Sequence, residues 1–167
     1  MCSLQRNPGL LKLAVIERHQ STGNIGLGLV KGFVQEGMSF NGAIASTIAH
    51  DSHNIVVIGD NDVDMYAAIE AIKIMQGGVV LVRDSQVIEF LPLEIAGLMT
   101  VEPALKTAKR KSRLIETAHR QFNVKESVHP VMTLSFLPLA VIPHLRVTDK
   151  GLFDAVKFLH VNIDPSD

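Results

Sequence analysis

The sequence predicts a single compact α/β domain, a mixed β-sheet packed with two main helices, and leaves an α+β arrangement open. Three observations carry that expectation. Short apolar runs of strand length recur along the chain, two longer segments follow helical spacing, and no repeat, low-complexity tract or flexible linker interrupts them. With 167 residues, 47% of them hydrophobic and 20% charged, the chain can bury a real core and is not disordered by composition. The domain is expected over residues 1–167, with 1–9 as a loose N-terminal extension.

The elements follow in order. Leu11–Ile16 (LKLAVI) reads as a buried strand, followed by ERHQSTGNIGLGLVKGF, glycine-rich and without a clear period. Ala43–Ile48 and Ile55–Ile58 read as strands joined by the polar connection AHDSHN. In GDNDVDMYAAIEAIKIMQGG, Asn61 or Asp62 can cap a helix and Asp64 suits its positive first turn. Met65, Ile69 and Ile72 share a face there, and Gly77 stops the helix. Val79–Val82 and Val87–Phe90 flank Asp84-Ser85-Gln86 as a hairpin. A second helix is expected with Pro103 just inside its start and an apolar stripe of Leu105, Ala108, Ile115, Ala118 and Phe122. Lys106, Lys109, Arg110, Lys111 and Arg113 then form its solvated face. VMTLSFLPLAVIPHL, broken by Pro138 and Pro143, is expected to be extended, and Thr148-Asp149-Lys150-Gly151 to open a short helix or turn.

Charge and composition exclude several function classes. A formal charge of −1 gives no global field for nucleic acid or acidic membranes. No apolar stretch approaches the roughly 20 residues that span a bilayer, and MCSLQRNPG lacks a signal peptide's basic and apolar regions. Cys2, the single cysteine, allows no internal disulfide and no thiolate zinc cluster. A cytoplasmic setting is the expectation, with neither nucleic acid nor membrane as partner.

Two motifs invite chemistry. GNIGLG reverses the spacing of a dinucleotide fingerprint and lacks the Gly-Lys-Ser/Thr of a phosphate loop. Its glycines serve either a ligand-hugging loop or a tight structural one, through close backbone approach or positive φ. Among the seven histidines, none forms an HxH pair or lies in HExxH. His50 and His53 make an HxxH with Asp51 between, which would seed a metal site only with distant ligands. Asp51, Ser52 and Asn54 equally suit a connection that must satisfy free backbone groups. Ser52 lies in no nucleophile elbow.

Taken together, KLAVIERHQSTGNIGLGLVKGF, GAIASTIAHDSHNIVVIGDNDVDM, LPLEIAGLMT and VMTLSFLPLAVIP resemble the C-terminal domain of bacterial and archaeal adenine deaminases, members of the amidohydrolase superfamily. The resemblance runs from about Leu11 to about Asp154. It implies hydrolytic deamination of adenine to hypoxanthine and ammonia in a (β/α)₈ barrel carrying a divalent metal, manganese or iron. A barrel needs on the order of 250 residues, and the family's ligand pattern, opening with an HxH pair, is missing here. No catalytic residue, metal ligand or cofactor is therefore expected in this chain, which reads as the accessory domain without its barrel.

The resemblance implies an accessory role, shaping the adenine pocket or the interface with the barrel or sister subunits in a homo-oligomer. Substrate-binding or lid residues expected on that basis are Arg18, His19, Thr22, Asn24, His50, Asp51, Ser52 and His53. The loops that hold them should lie together at one edge of the sheet, with LSFLPLAVIP offering an apolar docking surface. A stand-alone purine-binding or regulatory module is one alternative, and a small metal-binding hydrolase using the HDSH loop is another.

Overall fold

Residues 9–163 are described by the computed structural model. A six-stranded sheet forms the centre, in the order β2-β1-β4-β3-β5-β6. Its strands are β1 (Leu10–Ile16), β2 (Ile25–Lys31), β3 (Ala43–Ser46), β4 (Ile55–Gly59), β5 (Gly78–Arg83) and β6 (Gln86–Pro92). Each pair of neighbours runs antiparallel, so the mixed α and β content takes its α+β form. Every residue of β3 and β4 is buried, which is what their unbroken apolar runs require when both sheet faces are covered. The expected strand over Ala43–Ile48 stops at Ser46, where Thr47 turns aside to donate to the Gly97 carbonyl at 2.6 Å.

One face of the sheet carries α1 (Asp62–Met75), which buries Met65, Ala68 and Ile72 against Ala43, Ala45, Val57, Val80 and Val82. Asn61 caps it by accepting from the Asp64 amide, and the left-handed Gln76 ends it just before Gly77. Asp64 does more than meet the helix dipole. Its buried carboxylate accepts from the Ser85 amide at 2.7 Å and from the Asn61 side chain at 2.9 Å. It thereby pins the β5–β6 turn, where Asp84 and Ser85 both have positive φ (51° and 60°), as a two-residue type I′ hairpin turn requires.

The opposite face packs α2 (Ala104–Gln121), α3 (Pro130–Phe136) and a small sheet of β7 (Leu145–Thr148), β8 (Gly151–Asp154) and β9 (Leu159–His160). The helix expected to include Pro103 begins one residue later, with Pro103 at the cap position. Its buried stripe is Leu114, Thr117 and Ala118, continued by Phe122 just past the last turn; of the expected stripe, Leu105 and Ala108 are exposed and Ile115 is half-buried. Part of the basic face is paired: Lys106 with Glu102 at 2.7 Å, and Arg113 with the buried Glu89 at 2.5 Å.

One expectation is overturned and two others are sharpened. VMTLSF is helical rather than extended, because Pro130 at the first turn and His129, whose Nδ1 accepts from the Met132 amide at 3.2 Å, start α3. LSFLPLAVIP is divided between core and surface: Leu134, Ser135 and Pro138 are buried, whereas Phe136, Val141 and Pro143 are exposed. Of the helix or turn expected at Thr148–Gly151, the structure forms the turn, which joins β7 to β8. The loose extension expected over residues 1–9 lies, apart from Gly9, outside the described residues.

The glycine-rich segment supplies a strand that its sequence conceals. β2 pairs with β1 along its whole length, Ile25 opposite Ile16 through Lys31 opposite Leu10. Gly26 and Gly28 face the core side, where the β7–β8 hairpin lies directly on the strand. A Cβ on Gly26 would stand 1.7 Å from the Thr148 carbonyl oxygen, and one on Gly28 2.5 Å from a Val147 methyl. Gly26→Ala is expected to unseat the hairpin at a cost of at least about 1–3 kcal/mol, as overpacking does. A lowered Tm in thermal unfolding checks this, and an unchanged Tm would contradict it.

Candidate functional site

The segment after β1 (residues 17–24) and the one between β3 and β4 (residues 47–54) leave the same end of the sheet, because β1 and β4 are antiparallel neighbours with Ile16 opposite Ile55. The first is organised by Glu17, which the sequence reading passed over. Its carboxylate accepts from the amides of His19, Gln20 (2.8 Å) and Thr22 (3.1 Å), and from the Thr22 hydroxyl (3.1 Å). Those donors, the Thr22 amide foremost, hold the Glu17 carboxyl down to about 2 from an ordinary 4.5.

The second loop closes on itself through the His53 amide donating to the Ala49 carbonyl at 2.6 Å. Three outside groups then fasten it, all by backbone atoms. Arg18 Nε donates to the His53 carbonyl at 2.6 Å, His19 Nε2 donates to the Ser52 carbonyl at 2.8 Å, and the His50 amide donates to the Ser135 carbonyl at 2.9 Å. Arg18 also donates through Nη2 to the Ala96 carbonyl at 2.7 Å, tying in the segment after β6. Burial draws the Arg18 guanidinium below its ordinary value, yet a guanidinium keeps its charge at neutral pH.

Six of the eight expected residues therefore share one surface: Arg18, His19, His50, Asp51, Ser52 and His53. The other two do not. Thr22 serves its own loop through Glu17, and the Asn24 side chain donates to Asp149 in the β7–β8 turn at 3.2 Å. Phe136 was not anticipated. The His50 ring lies against it with centroids 5.0 Å apart, and meets the His53 ring edge-on at 5.8 Å. Beneath, His50 and Phe136 join Leu91, Leu93, Leu114 and Met132 around a cavity of about 370 Å³.

The two outer imidazoles are polarised in opposite senses. His19 donates through Nε2, which leaves its Nδ1 an acceptor. Nδ1 of His53 receives the Ala49 amide at 3.4 Å, a weak bond that leaves Nε2–H as donor. Burial, then the neighbouring His50 and Arg18, draw the His53 imidazole below its ordinary 6.5 against the opposing pull of Asp51, so it is neutral at pH 7. No group of three or more His, Cys, Asp or Glu able to hold a metal ion occurs among the described residues, so they do not fit the divalent ion implied by the resemblance. None of the described helices is long and apolar enough to cross a membrane.

Comparison with known proteins resolves the kinship. The family described as the adenine deaminase C-terminal domain matches residues 2–159. This chain belongs to the adenine deaminase C-terminal domain family. It is 50% identical over 152 residues to the adenine deaminase of Clostridium acetobutylicum, covering 91% of this chain and 26% of that protein. It is 47% identical to adenine deaminase of Nitratidesulfovibrio vulgaris (90% and 25%), and 49% identical to adenine deaminase 2 of Latilactobacillus sakei (93% and 26%). The chain spans about a quarter of the length of these curated relatives.

Glu17 gives this deaminase-family domain a pH-sensitive loop. A carboxyl whose pKa falls on folding contributes stability above its unfolded value, and that contribution is lost as pH drops from 4.5 towards 2. Amide exchange protection of Gln20 and Thr22 is expected to fall over that window, while amides of β3 and β4 stay protected. Unchanged protection at Gln20 and Thr22 would contradict the assignment.

Proposed function

We propose that this chain is the accessory C-terminal domain of an adenine deaminase, and that its paired loops form part of the wall or lid of the adenine pocket. The setting is a cytoplasmic homo-oligomeric enzyme whose preceding portion holds the catalytic barrel. A divalent metal held in that portion would supply the activation of water. The present chain contributes binding and orientation.

One observation carries the reading: Arg18 and His19 of one loop grip the carbonyls of His53 and Ser52 in the other. Because the grip uses backbone acceptors, Nε2 of His53 and the exposed carboxylate of Asp51 are left for work outside the domain, while the His50 ring packs on Phe136. Adenine presents ring nitrogens as acceptors and an exocyclic amine as donor. A neutral His53 with Nε2–H outward donates to a ring nitrogen, and His19 Nδ1 accepts from the amine. A closing wall of this kind also excludes water from the pocket, which strengthens each polar contact within it.

The same bonds also suit a second reading, in which the cluster fixes the interface with the barrel or a sister subunit, and kinetics separate the two. In the full-length Clostridium acetobutylicum relative, His→Ala at the position matching His53 is expected to lower kcat/KM by about 10- to 100-fold, the loss of one substrate hydrogen bond, with metal content unchanged. Unchanged kinetics with a lowered Tm would make the loop structural, and loss of metal would make it a ligand. The purified 167-residue chain is expected to release no ammonia from adenine. Turnover that a chelator abolishes would overturn the accessory reading.

A further inference from the structure

The sheet is covered on one face by α1 only in part. α1 lies across β5, β3 and β4, takes in Ala14 of β1 at its margin, and leaves β2 uncovered. On that side β2 presents Ile25, Leu27 and Leu29, which are 57%, 56% and 49% exposed, opposite Ile16, Ala14 and Lys12 of β1. The opposite side of the same strand is closed, with Gly26 and Gly28 under the β7–β8 hairpin. β2 is bare on this side and β1 is only partly covered, with Ala14 buried at the margin of the α1 cluster, so the two strands, about 4.8 Å apart, leave a shelf on which one helix of about 10 Å diameter can lie.

Its two ends differ. At one, Ile16 and Ile25 border the loops bearing His19 and His53. At the other, the chain enters at Leu10 beside Lys31, near the Lys12–Asp62 ion pair of 2.6 Å. In the relatives, about three quarters of the protein lies beyond the matched region, and the matching family is a C-terminal domain.

We infer that the β1–β2 shelf is the docking surface for one amphipathic helix of the preceding portion of the full-length enzyme, lying beside α1 and completing that layer. The inference rests on the accessory reading above and names the surface through which it operates. β1 begins at Leu10, so the preceding polypeptide joins the domain beside one end of this shelf. Apolar residues three and four apart on that helix would cover Ile25, Leu27 and Leu29. Docking here delivers the rest of the enzyme to the paired loops.

The test places a photo-crosslinking benzoylphenylalanine at the position matching Ile25 in the full-length Clostridium acetobutylicum enzyme. Crosslinked peptides are expected from the preceding portion of the same subunit, in a segment of helical apolar spacing. Leu→Asp at the positions matching both Leu27 and Leu29 is expected to abolish that crosslink. The same pair in the 167-residue chain, Leu27→Asp with Leu29→Asp, is expected to leave its Tm unchanged, which excludes a folding defect. No crosslink, crosslinks only to a second copy, or a crosslink that survives the paired Asp variant would each overturn the proposal. These readouts are independent of the His53 kinetics, so either idea can fail alone.

Discussion

A sheet whose central strands are apolar on both sides must be covered on both sides, and that constraint governs this domain. β3 and β4 are buried along their whole length and apolar apart from Ser46, so neither sheet face can be left open above them. α1 answers on one side, with Met65, Ala68 and Ile72. On the other, Leu114, Ala118, Phe122, Val131, Leu134 and Val147 answer from α2, α3 and the small sheet. The β7–β8 hairpin can contribute only because β2 offers it glycines to lie against. Cover is complete over the middle of the sheet and stops short over β1 and β2, which is where the domain presents apolar surface outward.

How much of this the sequence disclosed depends on how local each signal is. α1 was legible because cap, dipole charge, apolar period and stop all lie within its own segment. The β5–β6 hairpin was legible for the same reason. β2 was not, since alternate glycines erase the apolar alternation that marks a strand, and their reason is a hairpin more than 115 residues downstream. α3 was misread because two later prolines suggested extended chain, whereas Pro130 sits where a helix accepts proline. The small sheet of β7, β8 and β9 draws its order partly from seating on β2, a non-local cause.

The paired loops show the same division. Which residues are chemically capable was readable, and so was the neighbourhood of the two loops. What each residue does was not. Asn24 resembles a ligand-binding amide but serves Asp149, and Thr22 serves Glu17. Glu17 looked like an unremarked surface acid, yet four donors converge on it. Hydrogen-bond partners between segments 30 or more residues apart cannot be read from residue type, because carbonyls carry most of the acceptor role and carbonyls have no sequence.

That last point bears on how the loop at 49–54 can change. Its shape is held by main-chain atoms: the carbonyls of Ser52 and His53, and the amides of His50 and His53. Arg18, from a different loop, provides the strongest of these holds and sits against Gly97, where any side chain would displace it. Within residues 50 to 52 the outside supports therefore reach the chain through backbone atoms and not through side chains. Only Asp51 stands wholly clear of that support, since the His50 ring packs on Phe136 and the Ser52 hydroxyl accepts from the Asn54 amide, so a change at 51 is the one the frame absorbs without rebuilding.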